Sequence, residues 1–296
     1  MSFSVTKRFL TRHPLTKNNL FAAYCRFFKW QIISRINTNS FEYPFILGTK
    51  FLVKNGMTGA TGNIYAGLHE FEDMAFLLHL LRSEDMFADV GSNIGSYTIL
   101  ASGVVGAKSV AFEPVPSTYH FLKSNIEINN LQNISVPYNV GVGNEKGKLK
   151  FTNNFDTINH VVVGNEESVN TIEVDIITLN DVFLDTQIPA LMKIDVEGFE
   201  KSVLQGANNI LKNATLKSLI VELNGCCHKY GVTEDEIHQI LLDYGFKTFH
   251  YKPFERELER TNNYNNGGNT IYIRDEEWVK ERIKSSKKYT VIGKSF

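Results

Sequence analysis

The chain has 296 residues, 43% of them hydrophobic, which is enough to bury one α/β domain with appendages or two small domains, and one domain is the better interpretation. The formal net charge of −1 conceals an asymmetry, because the first forty residues contain seven Lys/Arg and no Asp or Glu. Three cysteines without C-x-x-C spacing give no disulfide framework, and no apolar run has the length of a membrane span or the form of a cleaved leader. These features argue against a disulfide-rich or membrane-spanning protein and predict a soluble, cytoplasmic one.

Residues 1–65 are predicted to form a basic N-terminal arm and cap. Over residues 1–40, Lys and Arg alternate with Phe, Trp and Ile in a pattern typical of a helical arm. Such an arm can pack across the domain, or it can contact an anionic membrane surface or a lipid-linked substrate, which would make the protein peripheral at the inner membrane surface. Short β-type runs among glycines over 41–65 predict an irregular β cap.

Residues 66–275 are predicted to form the main domain, which opens with a helix over 70–82. The predicted core strands are 86–90, 109–113, 134–140, 191–196 and 219–223, and the predicted helices between and after them are 96–105, 117–130, 198–212 and 233–244. This alternation predicts a doubly wound parallel sheet in an α/β fold. The strands 246–251 and 269–273 have no helix between them and are expected to close the sheet as an antiparallel pair.

Two further segments have patterns of their own. Residues 144–190 form an insertion with two alternating runs typical of half-buried strands, at a place where substrate selection is expected. Residues 276–296 form a basic C-terminal tail, and the Lys-rich stretch 279–296 is expected to be mobile.

Acidic residues end the first two core strands, on either side of a glycine turn. Asp89 is followed by Gly91 and Gly95, and Glu113 ends the next strand. A dinucleotide-binding turn reads G-x-G-x-x-G and holds a pyrophosphate, which Asp89 would repel. S-adenosylmethionine instead carries an ammonium and a sulfonium, and Glu113 can accept hydrogen bonds from both of its ribose hydroxyls. The two acids therefore predict S-adenosylmethionine as the cofactor.

Other polar residues follow the later core strands. In an open α/β sheet, ligands bind beyond the carboxyl ends of the strands, near the point where strand order reverses. The residues in such positions after strands three to five are Asn139, Val140, Gly141, Asp195, Glu197, Glu222 and Asn224. Asp and Asn there can simply cap the next helix. Acids at four of five strand ends favour a binding or catalytic role.

Lys193 and Asp195 share one face of the fourth core strand, where they can form either a structural salt bridge or part of a reaction centre. In the second case Asp195, or Glu197, acts as a general base, Lys193 positions the acceptor, and Glu222 completes the catalytic set. In an alternative mechanism Asp195, Glu222 and Asn224 bind Mg²⁺, although the expectation is that no metal is required. The alternative bases are His69, His160 and His228.

Several motifs together closely resemble the FkbM family of S-adenosylmethionine-dependent methyltransferases. They are Gly67-Leu-His-Glu70, Phe87-Ala-Asp-Val-Gly-Ser-Asn-Ile-Gly95, Ala111-Phe-Glu-Pro114, Asn125 through Asn129, Thr178-Leu-Asn-Asp181, and Lys193-Ile-Asp-Val-Glu-Gly-Phe-Glu200 followed by Leu204-x-Gly206. The resemblance spans residues 65–250. It implies a seven-stranded, mostly parallel sheet with an antiparallel last strand.

The resemblance also implies which residues hold the cofactor. Residues expected near its methionine are Glu70, Asp89, Gly91 and Asn93, and residues expected near its adenine are Asn139, Val140 and Gly141. Glu113 would bind the ribose. Ser92 stands where the family usually has Ala and adds a hydroxyl near the ligand, and Gly95 and Pro114 complete the two turns.

Members of the family commonly methylate hydroxyls of sugars and other metabolites. The chain is therefore expected to be an O-methyltransferase that acts on a sugar hydroxyl in a cell-surface glycan or its precursor. The alternatives are a small secondary metabolite as acceptor, a non-catalytic or membrane-associated binding protein on the same scaffold, and an NAD-dependent oxidoreductase. No Asn-Pro-Pro-Tyr or Asp-Pro-Pro-Tyr motif follows strand four, and the core is acidic, so no nucleic-acid partner is expected.

Overall fold

The computed structural model describes residues 3–37, 39–153, 159–163, 170–183 and 187–296. Its N-terminal elements are α1 (Phe3–Arg12), α2 (Leu20–Ile36), β1 (Phe41–Pro44), β2 (Lys50–Val53) and α3 (Thr58–Ala66). β1 and β2 form an antiparallel hairpin, and α2 packs against α3. The predicted helical and β cap is thus confirmed, with α3 as an additional helix. Among the described helices, none combines the length and the apolar character that crossing a bilayer requires.

The rest of the core alternates strands and helices. In chain order its elements are α4 (Phe71–Leu80), β3 (Met86–Val90), α5 (Ser96–Ile99), β4 (Lys108–Phe112), α6 (Pro116–Ile128), β5 (Ser135–Tyr138), β6 (Gly141–Val142), β7 (Gly147–Thr152), β8 (Thr171–Ile177), α7 (Leu179–Val182), β9 (Leu191–Ile194), α8 (Glu200–Gln205), α9 (Asn208–Lys212), β10 (Ser218–Leu223), α10 (Glu234–Asp243), β11 (Lys247–Lys252), β12 (Glu257–Arg260) and β13 (Gly268–Ile273). A π-helical turn, Leu100–Val105, continues α5, and a 3₁₀ helix, Cys226–Tyr230, follows β10.

The described part of the main sheet has eight strands in the order β12-β11-β13-β10-β9-β3-β4-β5. The five strands from β10 to β5 are parallel, and β13 runs antiparallel to both β10 and β11. The predicted doubly wound, mostly parallel α/β sheet with an antiparallel last strand is therefore confirmed. The count of seven strands is short by one, because the chain folds back after β11 and adds β12 at the edge.

The sheet is buried on both faces, as a parallel sheet covered by helices must be. Phe87 and Leu191 point to the face covered by α4, whereas Ala88 and Met192 point to the face covered by α8, α9 and α10. Period-two alternation places Asp89 and Lys193 on the same face as Phe87, and the two residues lie directly opposite each other in the β3–β9 register. The fold thus brings an acid and a base together at the carboxyl ends of two central strands.

The single helix predicted over 198–212 is two helices, α8 and α9. The chain at Gly206 passes so close to Gly143 that a Cβ at residue 206 would lie 2.0 Å from the Gly143 carbonyl oxygen. This close approach ties the end of α8 to the segment after β6 and breaks the helix there. The contact depends on the tertiary fold, so helical periodicity alone did not predict it.

The insertion contributes a small second sheet, in the order β6-β8-β7. β7 and β8 are antiparallel, as expected for the two alternating runs, and β6 pairs parallel with β8. Residues 154–158, 164–169 and 184–186 of the insertion lie outside the described residues. The small sheet lies next to the segment that leaves β5.

The C-terminal residues are packed, and the expectation of a mobile tail is wrong. They form α11 (Glu276–Ser285) and a hairpin of β14 (Thr290–Val291) and β15 (Lys294–Ser295). The Phe296 side chain is 4% exposed, and its ring lies 5.1 Å from that of Phe71 and 5.4 Å from that of His79, both in α4. The tail packs against α4 because apolar side chains recur between its lysines, and these side chains cover one face of that helix.

We expect Phe296→Ala to destabilise the protein. The substitution removes a buried aromatic ring, and such changes lower the free energy of unfolding by about 3–5 kcal/mol. Urea unfolding measures the loss. Leu242→Ala, at a side chain that is 37% exposed, is the control and is expected to have little effect. Equal stability of Phe296→Ala and the wild type would mean that the tail does not pack in solution.

Candidate active site

A cavity of about 490 Å³ opens at the carboxyl edge of the main sheet, within the roughly 300–1,000 Å³ typical of small-molecule sites. The ends of β3, β4, β9 and β10 form its wall, with α3 and β6 beside them. The predicted site residues that line it are Glu70, Asp89, Gly91, Ser92, Asn93, Glu113, Pro114, Val140, Gly141, Lys193, Asp195, Glu197, Glu222 and Asn224. Most residues that the sequence analysis placed at the carboxyl ends of the core strands therefore lie together in one cavity.

Some predicted residues lie elsewhere. Gly95 is the N-cap residue before α5, with a φ of 88°, and does not belong to the described lining. Asn139 is exposed, and its side-chain amide donates hydrogen bonds to the carbonyl oxygens of Glu113 (2.9 Å) and Pro114 (3.0 Å), so it joins two loops behind the cavity. Of the three histidines considered as bases, His69 alone belongs to the described lining.

The glycine turn after β3 exists because β3 and β9 approach each other closely. Gly91 has a φ of 80°, and a Cβ there would lie 1.7 Å from the carbonyl oxygen of Asp195. Asn93 also has a positive φ, of 50°, an uncommon conformation that in non-glycine residues often marks a functional turn. The turn thus brings backbone to the cavity wall where a ligand can approach it.

Asp89 both caps a helix and lines the cavity. Its carboxylate accepts hydrogen bonds from the backbone N–H (3.1 Å) and the hydroxyl (2.6 Å) of Thr98, so the capping interpretation of this residue holds as well. Burial raises the pKa of Asp89 to about 6, although the Lys193 charge and the Thr98 hydrogen bonds oppose the shift. Asp89 is therefore a fixed acid, 2% exposed, at the base of the cavity.

Glu113 is fixed by two backbone hydrogen bonds. One carboxylate oxygen accepts from the N–H of Asn93 and the other from the N–H of Val115, both at 3.0 Å. Burial raises the pKa of Glu113 to about 7, and the two N–H donors oppose the shift. Each oxygen has a second lone pair, so the same carboxylate can still accept hydrogen bonds from two ligand hydroxyls.

Lys193 and Asp195 form a short ion pair on the cavity wall. The Lys193 ammonium lies 2.6 Å from Asp195 Oδ2 and 4.9 Å from the centre of the Tyr97 ring, and the lysine side chain is 4% exposed. Burial would lower the pKa of Lys193, but the charges of Asp195 and Glu70 outweigh it and raise that pKa. Burial would likewise raise the pKa of Asp195, but Lys193 and a hydrogen bond from Glu222 hold it below its usual value. The pair is therefore fully charged at neutral pH.

Glu222 is the neutral member of this group. Burial and the adjacent Asp195 charge raise the pKa of Glu222 to about 10, so at neutral pH it carries a proton and donates it in a hydrogen bond to Asp195. Asn224 donates a further hydrogen bond to Glu222, with a distance of 3.0 Å. Two adjacent acids whose pKa values are driven apart in this way are typical of catalytic carboxyl pairs.

The residues proposed for a metal lie together at the ends of β9 and β10, on the cavity wall. One oxygen each of Asp195, Glu197 and Glu222 lies within 4.8 Å of the others, a spacing that one cation could bridge. The Lys193 ammonium, 2.6 Å from Asp195 Oδ2, offsets part of the negative charge of this group. Asn224 directs its NH₂ group at Glu222 and Glu197, and its side-chain oxygen accepts from the Cys226 N–H.

Among the residues that the sequence analysis did not single out, Tyr97 lines the cavity and Asn269 lies next to the lining residue Glu70. The Tyr97 hydroxyl donates to Glu70 (2.8 Å), and the Asn269 amide donates to Glu70 (3.0 Å) and Asp73 (3.1 Å). Asn269 lies opposite Glu222 in the β10–β13 register. Because β13 runs in the reverse direction, its amino end meets the carboxyl ends of the parallel strands, and a search for polar residues at that end would have found Asn269.

The charge of the cavity indicates what it can hold. Its described lining carries six carboxyl groups but one ammonium, that of Lys193, which is already paired. Even with Glu222 protonated, the negative charge of this lining favours a cationic ligand and repels a pyrophosphate. A ligand with an ammonium, a sulfonium and a ribose finds acids at Asp89 and Glu113 and a close backbone at Gly91. The residues present therefore fit S-adenosylmethionine.

The family is shown by comparison with known proteins. Residues 89–248, more than half of the chain, match the Methyltransferase FkbM domain. The chain belongs to this family and is an S-adenosylmethionine-dependent methyltransferase, so the resemblance seen in its motifs is confirmed.

Individual relatives are distant. The chain is 27% identical over 176 residues to the "Hexuronic acid methyltransferase AglP" of Haloferax volcanii, covering 59% of this chain and 68% of the relative. It is 26% identical over 164 residues to "Methyltransferase 1" of Beauveria bassiana, covering 47% and 65%. The structure of Pyrococcus horikoshii TYW2 in complex with MeSAdo covers 80% of this chain and 70% of its own, at 14% identity and a TM-score of 0.43, too distant to bear on function.

We expect Glu222→Gln to flatten the pH dependence of stability. The folded protein keeps the Glu222 proton up to a pKa of about 10, whereas the unfolded chain loses it near the ordinary value of 4.5. The folded state binds more protons between these values, so the free energy of unfolding falls as pH rises across this window, by at most about 1.4 kcal/mol per pH unit. Glutamine keeps a donor for Asp195 and removes the titration.

Urea unfolding from about pH 6 to about pH 9 tests this expectation. The free energy of unfolding should decline less steeply in Glu222→Gln than in the wild type. Glu257→Gln, in the exposed strand β12, controls for the loss of a carboxylate. The same slope in Glu222→Gln and the wild type would show that Glu222 is ionised in the folded protein.

Proposed function

We propose that this methyltransferase transfers a methyl group to a sugar hydroxyl in a cell-surface glycan or its precursor, with residues 66–275 as the catalytic domain. The observation that carries the proposal is Asp195, an ionised carboxylate whose side chain is 27% exposed and faces the cavity beside the expected methyl position. An acceptor hydroxyl needs such a group to orient it and to receive its proton.

The cofactor would lie along the ends of β3 and β4. Its methionine part would be held by Asp89, Gly91 and Asn93, and its ribose by Glu113. Val140 and Gly141 also line the cavity, and the adenine would lie against them. Bound there, the cofactor supplies an electrophilic methyl group on a positively charged sulfur.

The protein's own contribution would be positioning and proton transfer. Asp195 accepts a hydrogen bond from the acceptor hydroxyl, and it receives the proton as the new carbon–oxygen bond forms and the carbon–sulfur bond breaks. Lys193 fixes Asp195 and keeps it ionised. Glu222 and Asp195 hold one proton between them before the reaction and two after it, and the second is then released to solvent. Holding the two reactants in line accounts for most of the rate enhancement.

Two features support a sugar as the acceptor. The relative from Haloferax volcanii is named for a hexuronic acid, which is a sugar acid. Polar groups from α3 and the segment after it also line the cavity. Asn63 accepts a hydrogen bond from the backbone N–H of His69 at 2.9 Å, and both residues belong to the lining. Such fixed polar groups suit an acceptor with several hydroxyls.

We expect Glu113→Gln to weaken cofactor binding. Hydrogen bonds to a charged group are worth about 1.5–3 kcal/mol, so S-adenosylhomocysteine should bind roughly ten- to a hundred-fold more weakly. Calorimetric titration of the wild type, Glu113→Gln and the surface control Glu84→Gln measures this. Tight binding of NAD by the wild type, with none of S-adenosylhomocysteine, would contradict the assigned cofactor site.

The acceptor is tested in cells. Mass spectrometry of surface glycans from cells with and without the gene should show that one sugar loses a methyl group, with a mass lower by that group. Restoring the wild-type gene should restore the methyl, whereas Asp195→Asn should not. Unchanged glycans together with a lost methyl on a small metabolite would assign the enzyme to that metabolite instead.

A further inference from the structure

Helix α2 exposes a row of large apolar side chains. Phe21 is 82% exposed, Phe28 53%, Ile32 60% and Ile36 74%. These four residues, called here the α2 stripe, fall within an arc of about 80°, because successive helical residues rotate by about 100°. Half of the exposed large apolar side chains in the described chain lie in α1 and α2. A contiguous apolar surface of this kind marks an interaction site.

The opposite face of α2 is already in use. Ala23, Phe27 and Trp30 are buried, and the ring of Phe27 lies 5.2 Å from that of Tyr65 in α3. Arg26 also donates to the Tyr65 carbonyl oxygen at 2.9 Å. The helix is therefore anchored by one apolar face, and the α2 stripe on the other face is free to meet a partner.

Cations flank the α2 stripe on both sides. Lys29 and Arg35 are exposed, lie at the two edges of the stripe by helical rotation, and make no ion pair within the described chain. The first forty residues contain five further Lys or Arg and no acid. Phe3 is also exposed, and its ring lies 6.0 Å from that of Phe27, which is 5.1 Å from that of Phe28.

We propose that the α2 stripe docks this enzyme on an anionic lipid bilayer. An apolar row bracketed by cations is the pattern of a helix that lies in the membrane interface, where the apolar side chains enter the acyl boundary and the cations meet lipid phosphates. A second copy of the chain fits less well as a partner. The first forty residues carry seven cations and no acid, so two such segments placed face to face would repel each other. The absence of a spanning helix among the described residues agrees with surface docking rather than insertion.

Docking through this face would place the catalytic domain close to the membrane. α2 packs directly on α3, and α3 supplies Gly59 and Asn63 to the cavity wall. Two helices, α2 and α3, would therefore separate the bilayer from the cavity. The inference does not depend on the acceptor, since the α2 stripe contains none of the cavity residues.

Sedimentation with vesicles tests the proposal on the full-length protein. The wild type should bind vesicles of phosphatidylglycerol and phosphatidylcholine at least about ten-fold more tightly than vesicles of phosphatidylcholine alone, and added salt should reduce the difference. Phe21→Ser with Ile32→Ser should weaken binding at least about ten-fold. The matched control, Val136→Ser with Leu242→Ser, replaces two exposed apolar side chains elsewhere and should bind like the wild type.

A charge variant separates the two components of the surface. Lys29→Glu with Arg35→Glu should abolish the preference for anionic vesicles, and it leaves the apolar side chains in place. Failure of the wild type to bind anionic vesicles overturns the proposal, as does undiminished binding by both α2 variants. If light scattering shows a dimer that the serine variant loses, and no vesicle binding occurs, the stripe is an interface between two copies instead.

Discussion

The buried ion pair between Lys193 and Asp195 is the interaction on which the rest of the site depends. An isolated buried charge costs several kcal/mol, so a lysine that is 4% exposed must be paired. Here Asp195 pairs with it directly, Asp89 lies opposite it in the strand register, and Tyr97 packs its ring against the ammonium. Conversely, the Lys193 ammonium, the one ammonium in the described lining, allows several acids to meet at one sheet edge.

The acids that surround this pair avoid one another's charge in different ways. Glu222 keeps its proton, Glu113 is held by two backbone N–H groups, and Asp89 is held by Thr98. The backbone accommodates them at some cost, since Glu197 has a φ of 54°, which non-glycine residues seldom adopt. The result is a preorganised cavity whose described lining is negative overall and includes Asp195, an ionised, partly exposed carboxylate able to act on a hydroxyl.

Much of this could be predicted because it depends on local pattern. Period-two alternation and strand ends located Asp89, Lys193 and Glu222, and the glycine turn indicated a close approach of backbone. The features that escaped prediction depend on tertiary neighbours. Asn269 reaches the site residue Glu70 because the reversed strand β13 enters between β10 and β11, and the basic tail packs because Phe296 fits against α4. No sequence period reports such contacts, although the direction of the last strand could have pointed to Asn269.

The most direct test of the account is methyl transfer by purified enzyme from S-adenosylmethionine labelled in its methyl group to surface glycans from cells that lack the gene. The account predicts label in the glycan with the wild type, and transfer at least about a hundred-fold slower with Asp195→Asn, whose affinity for S-adenosylhomocysteine stays close to that of the wild type. Equal transfer by the two proteins would contradict the role of Asp195. Tight cofactor binding with no label in any glycan would contradict the acceptor class.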